Sequence, residues 1–270
     1  MRRGFMSVHL AFLLASLAYI LVSIYIGWAL TRSTPIRKDI SLGLLTAGMV
    51  AHAVLLYPYV VTLYGLNFNL FNTISLISLF FLFFYMLFSL YRPIISLGIL
   101  AAPTALMGMT IGYVGRAPYQ PITDISIGLE AHILLSLAAY CVLLMAAVQA
   151  LFLRLQIREL KHHTIHRFWV NKLPSLQSME SLLFDMLLVG FVLLSIALGI
   201  GFVYVQDLMA QHIVHKTVFS LLSWLLFGTL LFGSWRAGWR GKRAANITIY
   251  AFILLAIGFV GSKFVLEMLL

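Results

Sequence analysis

Among the histidines inside long apolar runs or at their mouths are His52, His132, His212 and His215. A neutral imidazole offers one ring nitrogen to a metal, and two imidazoles from separate helices can hold one haem iron between them. Glu130 stands two residues before His132, while His212 and His215 are three apart and so neighbours on a helix surface. With Glu130 and Asp207 added, His212 and His215 would instead make a mixed nitrogen and oxygen site for a divalent cation. A further tract, His162, His163 and His166 in ELKHHTIHRF, lies in a basic segment and reads as a solvated loop. Each histidine within a span also has a plain structural use, a hydrogen bond to an adjoining helix.

The elements that carry these residues are defined by hydropathy. Apolar residues make up 62% of the 270 positions and charged residues 10%, far below the roughly 25% charged of globular domains. About eight apolar runs of bilayer length follow one another. They are Val8–Leu30, Ile40–Leu63, Phe71–Leu90, Pro93–Gly112, Ile127–Leu153, Ser181–Val205, Ile213–Trp235 and Asn246–Leu269. Only helices or closed barrels satisfy their own backbone in lipid, and runs of this length are helical. The expected fold is an all-α polytopic transmembrane bundle, a single integral-membrane domain over residues 1–270. The basic start MRRGF has no small-residue cleavage site after it, so the first run is expected to be a retained helix. No internal repeat suggests an inverted-repeat transporter.

The net charge of +10 is distributed by side rather than spread evenly. Arg32, Arg37 and Lys38 follow the first run, and Arg92 follows the third. Arg154, Arg158, Lys161, Arg167 and Lys172 follow the fifth, and Arg236, Arg240, Lys242 and Arg243 the seventh. The alternate connections hold only Arg116. This places the odd-to-even connections in the cytoplasm and both termini outside. It also explains the basic charge without nucleic acid.

Depth then separates the histidines. At 1.5 Å per residue, His132 and His215 lie within roughly 10 Å of the outer interface, and His52 roughly 18 Å below it. Only the first two are expected to share an iron. Lys216 and Arg116 are candidate partners for anionic groups such as haem propionates. Glu180 and Asp185, at the start of the sixth run, suit a helix N-terminus beside basic loops. Lys263 and Glu267 are spaced to pair along the last helix. The aromatic cluster Phe80, Phe81, Phe83, Phe84 and Tyr85 is expected to pack against helices or lipid. Cys141 is the one cysteine, which rules out CxxC and CxxCH motifs, so any haem is held without a covalent link.

The second half carries an ordered set of landmarks. His132 opens HILLSLAAYCVLLMAAVQALFL, a basic loop follows, and then LPSLQSMESLLFDMLLVGFVLLSIALGIG, HKTVFSLLSWLLFGTLL, GWRGKRAA and a last span. This succession resembles the haem-handling membrane proteins of cytochrome c assembly, the CcsA/CcmC/HemX type, and is similar in particular to their short bacterial inner-membrane YpjD branch. The likeness covers residues 127–270 well and the first half by helix count. It implies that His132 is the external histidine heading its helix. It also implies that His215, Lys216, Thr217 and Trp224, in HKTVFSLLSW, hold family positions near the cofactor. Members that deliver haem carry a tryptophan-rich WWD segment before that helix, whereas VYVQDLMAQHIV contains no tryptophan.

The expected function is therefore binding or handling of non-covalent haem b, alongside membrane assembly proteins and without catalytic chemistry. The candidate site is His132, His215, His52, Arg116, Lys216 and Trp224, with His132 and His215 as iron ligands. A transport or regulatory protein for a divalent cation or small molecule is the alternative, and a scaffold whose polar residues only join helices is a third reading. No glycine-rich phosphate loop and no HExxH motif occurs, which leaves no sign of an ATPase or a zinc protease.

Overall fold

The computed structural model describes residues 2–62, 65–115, 126–161, 175–204 and 211–258. Among the described residues there are eight α-helices, and the chain divides into two compact units, residues 1–125 and 126–270. Seven of the helices are long and apolar enough to cross a membrane. The protein is an all-α polytopic membrane protein.

The first unit holds α1 (Arg2–Arg32), α2 (Lys38–Val60), α3 (Leu70–Tyr91) and α4 (Gly98–Val114). Helix α1 ends because Ser33 adopts φ +53°, the Thr34 amide closes onto the Ala29 carbonyl at 3.0 Å, and Pro35 cannot continue the helix. A two-residue hairpin, β1 (Val61–Thr62) with β2 (Gly65–Leu66), follows α2. Asn69 then caps α3, its side chain accepting from the Asn72 amide at 2.8 Å. Arg92 and Pro93 break the chain before a 3₁₀ turn (Ile95–Leu97) leads into α4.

Small residues let α3 and α4 approach closely. A Cβ on Gly112 would lie 2.5 Å from the Ser75 Cβ and 3.2 Å from the Phe71 carbonyl oxygen. A Cβ on Gly108 would lie 2.4 Å from the Ser78 Cβ. Without a hydrophobic drive between helices in lipid, such close contact supplies the packing energy. Gly112→Ala is expected to destabilise the protein by about 1–3 kcal/mol through overpacking. Gly43→Ala, where a Cβ meets nothing within 4 Å, is expected to be neutral or stabilising, because alanine is the better helix former. Thermal unfolding of the two variants in detergent compares them directly.

The second unit holds α5 (Ile127–Lys161), α6 (Leu176–Tyr204), α7 (Gln211–Ala237) and α8 (Gly241–Ala256). Helices α6 and α8 each pack against α7, and both pack against α5, so α5 and α7 stand on a diagonal of a four-helix ring. Helix α5 runs eight residues beyond the expected Leu153 because RLQIRELK carries good helix formers with apolar Leu155 and Leu160 among the charges. Helix α6 starts five residues earlier than expected for a similar reason. The described part of α8 is 16 residues, and the expected remainder of the eighth span lies outside the described residues.

One end of this unit is closed by charge. Glu180 Oε1 accepts from the Gly241 amide at 3.4 Å and lies 3.9 Å from Arg240 Nε. A carboxylate there satisfies an orphan donor at the start of α8 rather than of its own helix, with Arg240 of the basic segment beside it. Gly238 and Gly241, at φ +63° and +56°, turn the chain between α7 and α8. Arg243 stacks over Trp239 at 3.9 Å beside them.

Candidate functional site

His132 lies one and a half turns into α5, and its ring rests against α6. Its Nδ1 is 2.7 Å from the Ala197 carbonyl oxygen. A carbonyl only accepts, so Nδ1 must carry the proton and donate, leaving the Nε2 lone pair available. Metal-bound histidines are held in this way, with the second nitrogen donating to a backbone carbonyl or carboxylate.

Glycine makes the seat for the ring. A Cβ on Gly201 would lie 2.7 Å from His132 Cε1 and 2.9 Å from Nδ1. Gly201 is one turn beyond Ala197, so the same strip of α6 supplies both the acceptor and the space. Gly128 plays the reciprocal part on α5, where a Cβ would lie 2.5 Å from the Tyr204 ring. The two helices are thus interlocked around the imidazole at the end of the bundle where α5 begins.

The opposite side of α6 positions Trp224. Its indole Nε1 donates to Ser195 Oγ at 2.8 Å, and Ser195 donates in turn to the Phe191 carbonyl at 2.7 Å. The indole stacks on Phe191 with centroids 5.6 Å apart and planes at 16°. Ser195 and Ala197 are two residues apart, about 3 Å along the helix. One short segment of α6 therefore fixes His132 from α5 and Trp224 from α7 at nearly the same depth.

The other expected site residues fall in different places. His215 lies on the first turns of α7, four residues after Gln211, and its side chain is outside the described residues, as is that of His212. Lys216 is half-buried on the same helix, its backbone carbonyl 3.6 Å from the position of a Cβ on Gly258. Arg116, Asp207, Lys263, Glu267 and the His162–His166 tract lie outside the described residues. Among the described residues no three His, Cys, Asp or Glu side chains gather at one point.

His52 belongs to the first unit and is fully buried. Its Nε2 is 2.9 Å from Ser75 Oγ on α3, and its Nδ1 is 3.3 Å from the Tyr19 hydroxyl on α1. Both ring nitrogens are engaged, so the side chain joins three helices through one polar node. It is also shallower than the expected span end implies, eight residues before Val60, because α2 gives way to the hairpin there. His52→Ala is expected to lower stability by about 1–3 kcal/mol for each partner left unpaired. A drop in unfolding temperature checks this; an unchanged unfolding temperature would contradict it.

Sequence reasoning did not single out His9. Its Nδ1 hydrogen-bonds the Tyr113 hydroxyl, tying α1 to α4, and Tyr113 stacks on Phe12 at 4.2 Å. Among the aromatic residues of α3, Phe84 and Tyr85 are buried and Phe83 is exposed, which fits helix and lipid contact.

The family profile described as cytochrome C assembly protein matches residues 40–270. The chain belongs to the cytochrome c assembly protein family. That match spans both units, including the first half, where the sequence landmarks are sparse. Inner membrane protein YpjD of Escherichia coli strain K12 is 31% identical over 142 residues, 53% of each chain. An uncharacterized 28.8 kDa protein from the nifR3-like 5' region of Azospirillum brasilense is 33% identical over 149 residues, 53% of this chain and 54% of its own. The chain thus spans about half the length of the curated relatives it matches. No solved structure matches it. This cytochrome c assembly family member is a multi-pass protein of the bacterial inner membrane.

Proposed function

We propose that this protein binds non-covalent haem, with His132 as the residue that would hold the iron through Nε2. The observation that carries the reading is the hydrogen bond from His132 Nδ1 to the Ala197 carbonyl, which selects the ligating tautomer and fixes the ring. The donor suits the group: imidazole is a ligand of haem iron, and Gly201 leaves the room in which the ring seats against α6. When bound, haem would supply an iron centre for transfer or electron exchange, and the chain would supply the ligand and its orientation.

His215 is the proposed second ligand, from the diagonal helix α7. Lys216 and Arg116 are assigned to the propionates, and Trp224 to holding α7 against α6 through Ser195 and Phe191. His52, with both nitrogens engaged, is assigned a structural role. Without a tryptophan-rich outer segment, the function is holding or handling haem within the membrane rather than full delivery to an apocytochrome. No catalytic chemistry is assigned to the chain itself.

The test is the visible spectrum of the full-length protein purified from haem-replete cells. A Soret band that disappears in the His132→Ala, His215→Ala double variant is expected. No band in the wild type, or a band unchanged in the variant, would overturn the proposal.

A further inference from the structure

An open cavity of about 390 Å³ lies in the first unit, between the start of α2 and the turn that joins α3 to α4. Its volume is within the roughly 300–1,000 Å³ of small-molecule sites. Lys38, Tyr91, Arg92 and Pro93 are among its lining residues, and no carboxylate lines it. Lys38 Nζ donates to the Leu90 carbonyl at 2.6 Å, which holds the ammonium at the rim and leaves two of its three donors. The nearest acidic residue in sequence, Asp39, is paired with Arg37 at 2.6 Å and does not neutralise the cavity.

Position identifies the occupant. Tyr91 is the last residue of one membrane-crossing helix and Lys38 the first of another, so the cavity sits at the border of the bilayer. Leu90 and Tyr91 are both exposed beside it, an apolar side chain for acyl chains and an aromatic of the type that anchors at headgroup level. Two cations with an apolar flank at that depth complement a phosphate that carries its own hydrocarbon. We infer that this cavity is a binding site for the phosphate headgroup of an anionic phospholipid. It is separate from the haem reading and uses none of its residues.

Native mass spectrometry of the detergent-solubilised full chain tests the site, with phosphatidylglycerol and phosphatidylcholine as probes. The wild type is expected to retain phosphatidylglycerol in preference to phosphatidylcholine. The Lys38→Gln, Arg92→Gln variant is expected to lose affinity by about fivefold for each cation removed. A Lys38→Arg, Arg92→Lys variant keeps both charges and is expected to keep the lipid, which separates charge from any folding defect. Removing two cations elsewhere, Arg154→Gln and Arg158→Gln, is expected to change nothing. Equal retention of both lipids would overturn the inference. So would an equal loss in the distant variant, or displacement of the lipid by excess inorganic phosphate.

Discussion

His132→Gly is expected to lower the haem content of the purified protein by at least about 10–100-fold, and added imidazole is expected to restore the Soret band. Altering a group that merely orients a metal ligand already weakens binding about 10–100-fold, so removal of the ligand sets that as a lower bound. Imidazole rescue is the informative arm. The glycine leaves a ring-sized space beside Gly201, where free imidazole can find the same Ala197 carbonyl acceptor. Rescue shows that the nitrogen donor matters rather than the covalent side chain. Haem content unchanged in His132→Gly would remove His132 from the ligand set.

The second large effect is expected from Gly201→Val. The ideal Cβ is already 2.7 Å from His132 Cε1, and the two added methyl groups have no room unless the ring leaves its seat. The Nδ1 hydrogen bond to Ala197 would break with that movement, releasing both the tautomer and the orientation. Haem affinity is expected to fall about 10–100-fold, as for other losses of support behind a metal ligand. Stability is expected to fall by about 1–3 kcal/mol from overpacking. Gly199→Val is the companion measurement, since a Cβ there meets nothing within 4 Å. If Gly201→Val and Gly199→Val bind haem alike, the seat has no bearing on the ligand.

Much of the fold was legible because lipid forces hydropathy and helix length to agree. Seven of the expected spans correspond to helices that qualify as membrane-crossing, with most ends displaced by a few residues. The ends moved where polar sequence continues a helix, as in RLQIRELK after Leu153 and LQSME before Ser181. A hydropathy boundary marks where lipid stops, and a helix needs only its own hydrogen bonds to go further. The basic residues after the first and third spans do meet at one end of the first unit, where Lys38 reaches Leu90.

The site was legible only in part. His132 stood out as a polar residue in an apolar run, but its acceptor is a backbone carbonyl, which no side-chain pattern records. Gly201 sits in LGIGF, where sequence alone gives no reason to prefer it over Gly199. The distinction arises from which helix face meets α5. His52 stands apart from His132 and His215 by depth in the sequence, but its partners Tyr19 and Ser75 come from helices whose rotation the sequence does not specify. His9 was overlooked because it lies near the chain start, outside the landmarks, and its partner Tyr113 is more than a hundred residues away.

The most direct measurement is an absorption titration of the full-length wild-type chain, embedded in lipid nanodiscs, with haem. Saturation at one haem per chain is expected, with a Soret shift typical of imidazole-ligated iron that His132→Ala abolishes. A non-saturating rise that is the same in wild type and His132→Ala would show haem dissolving in lipid, and would contradict ligation by His132.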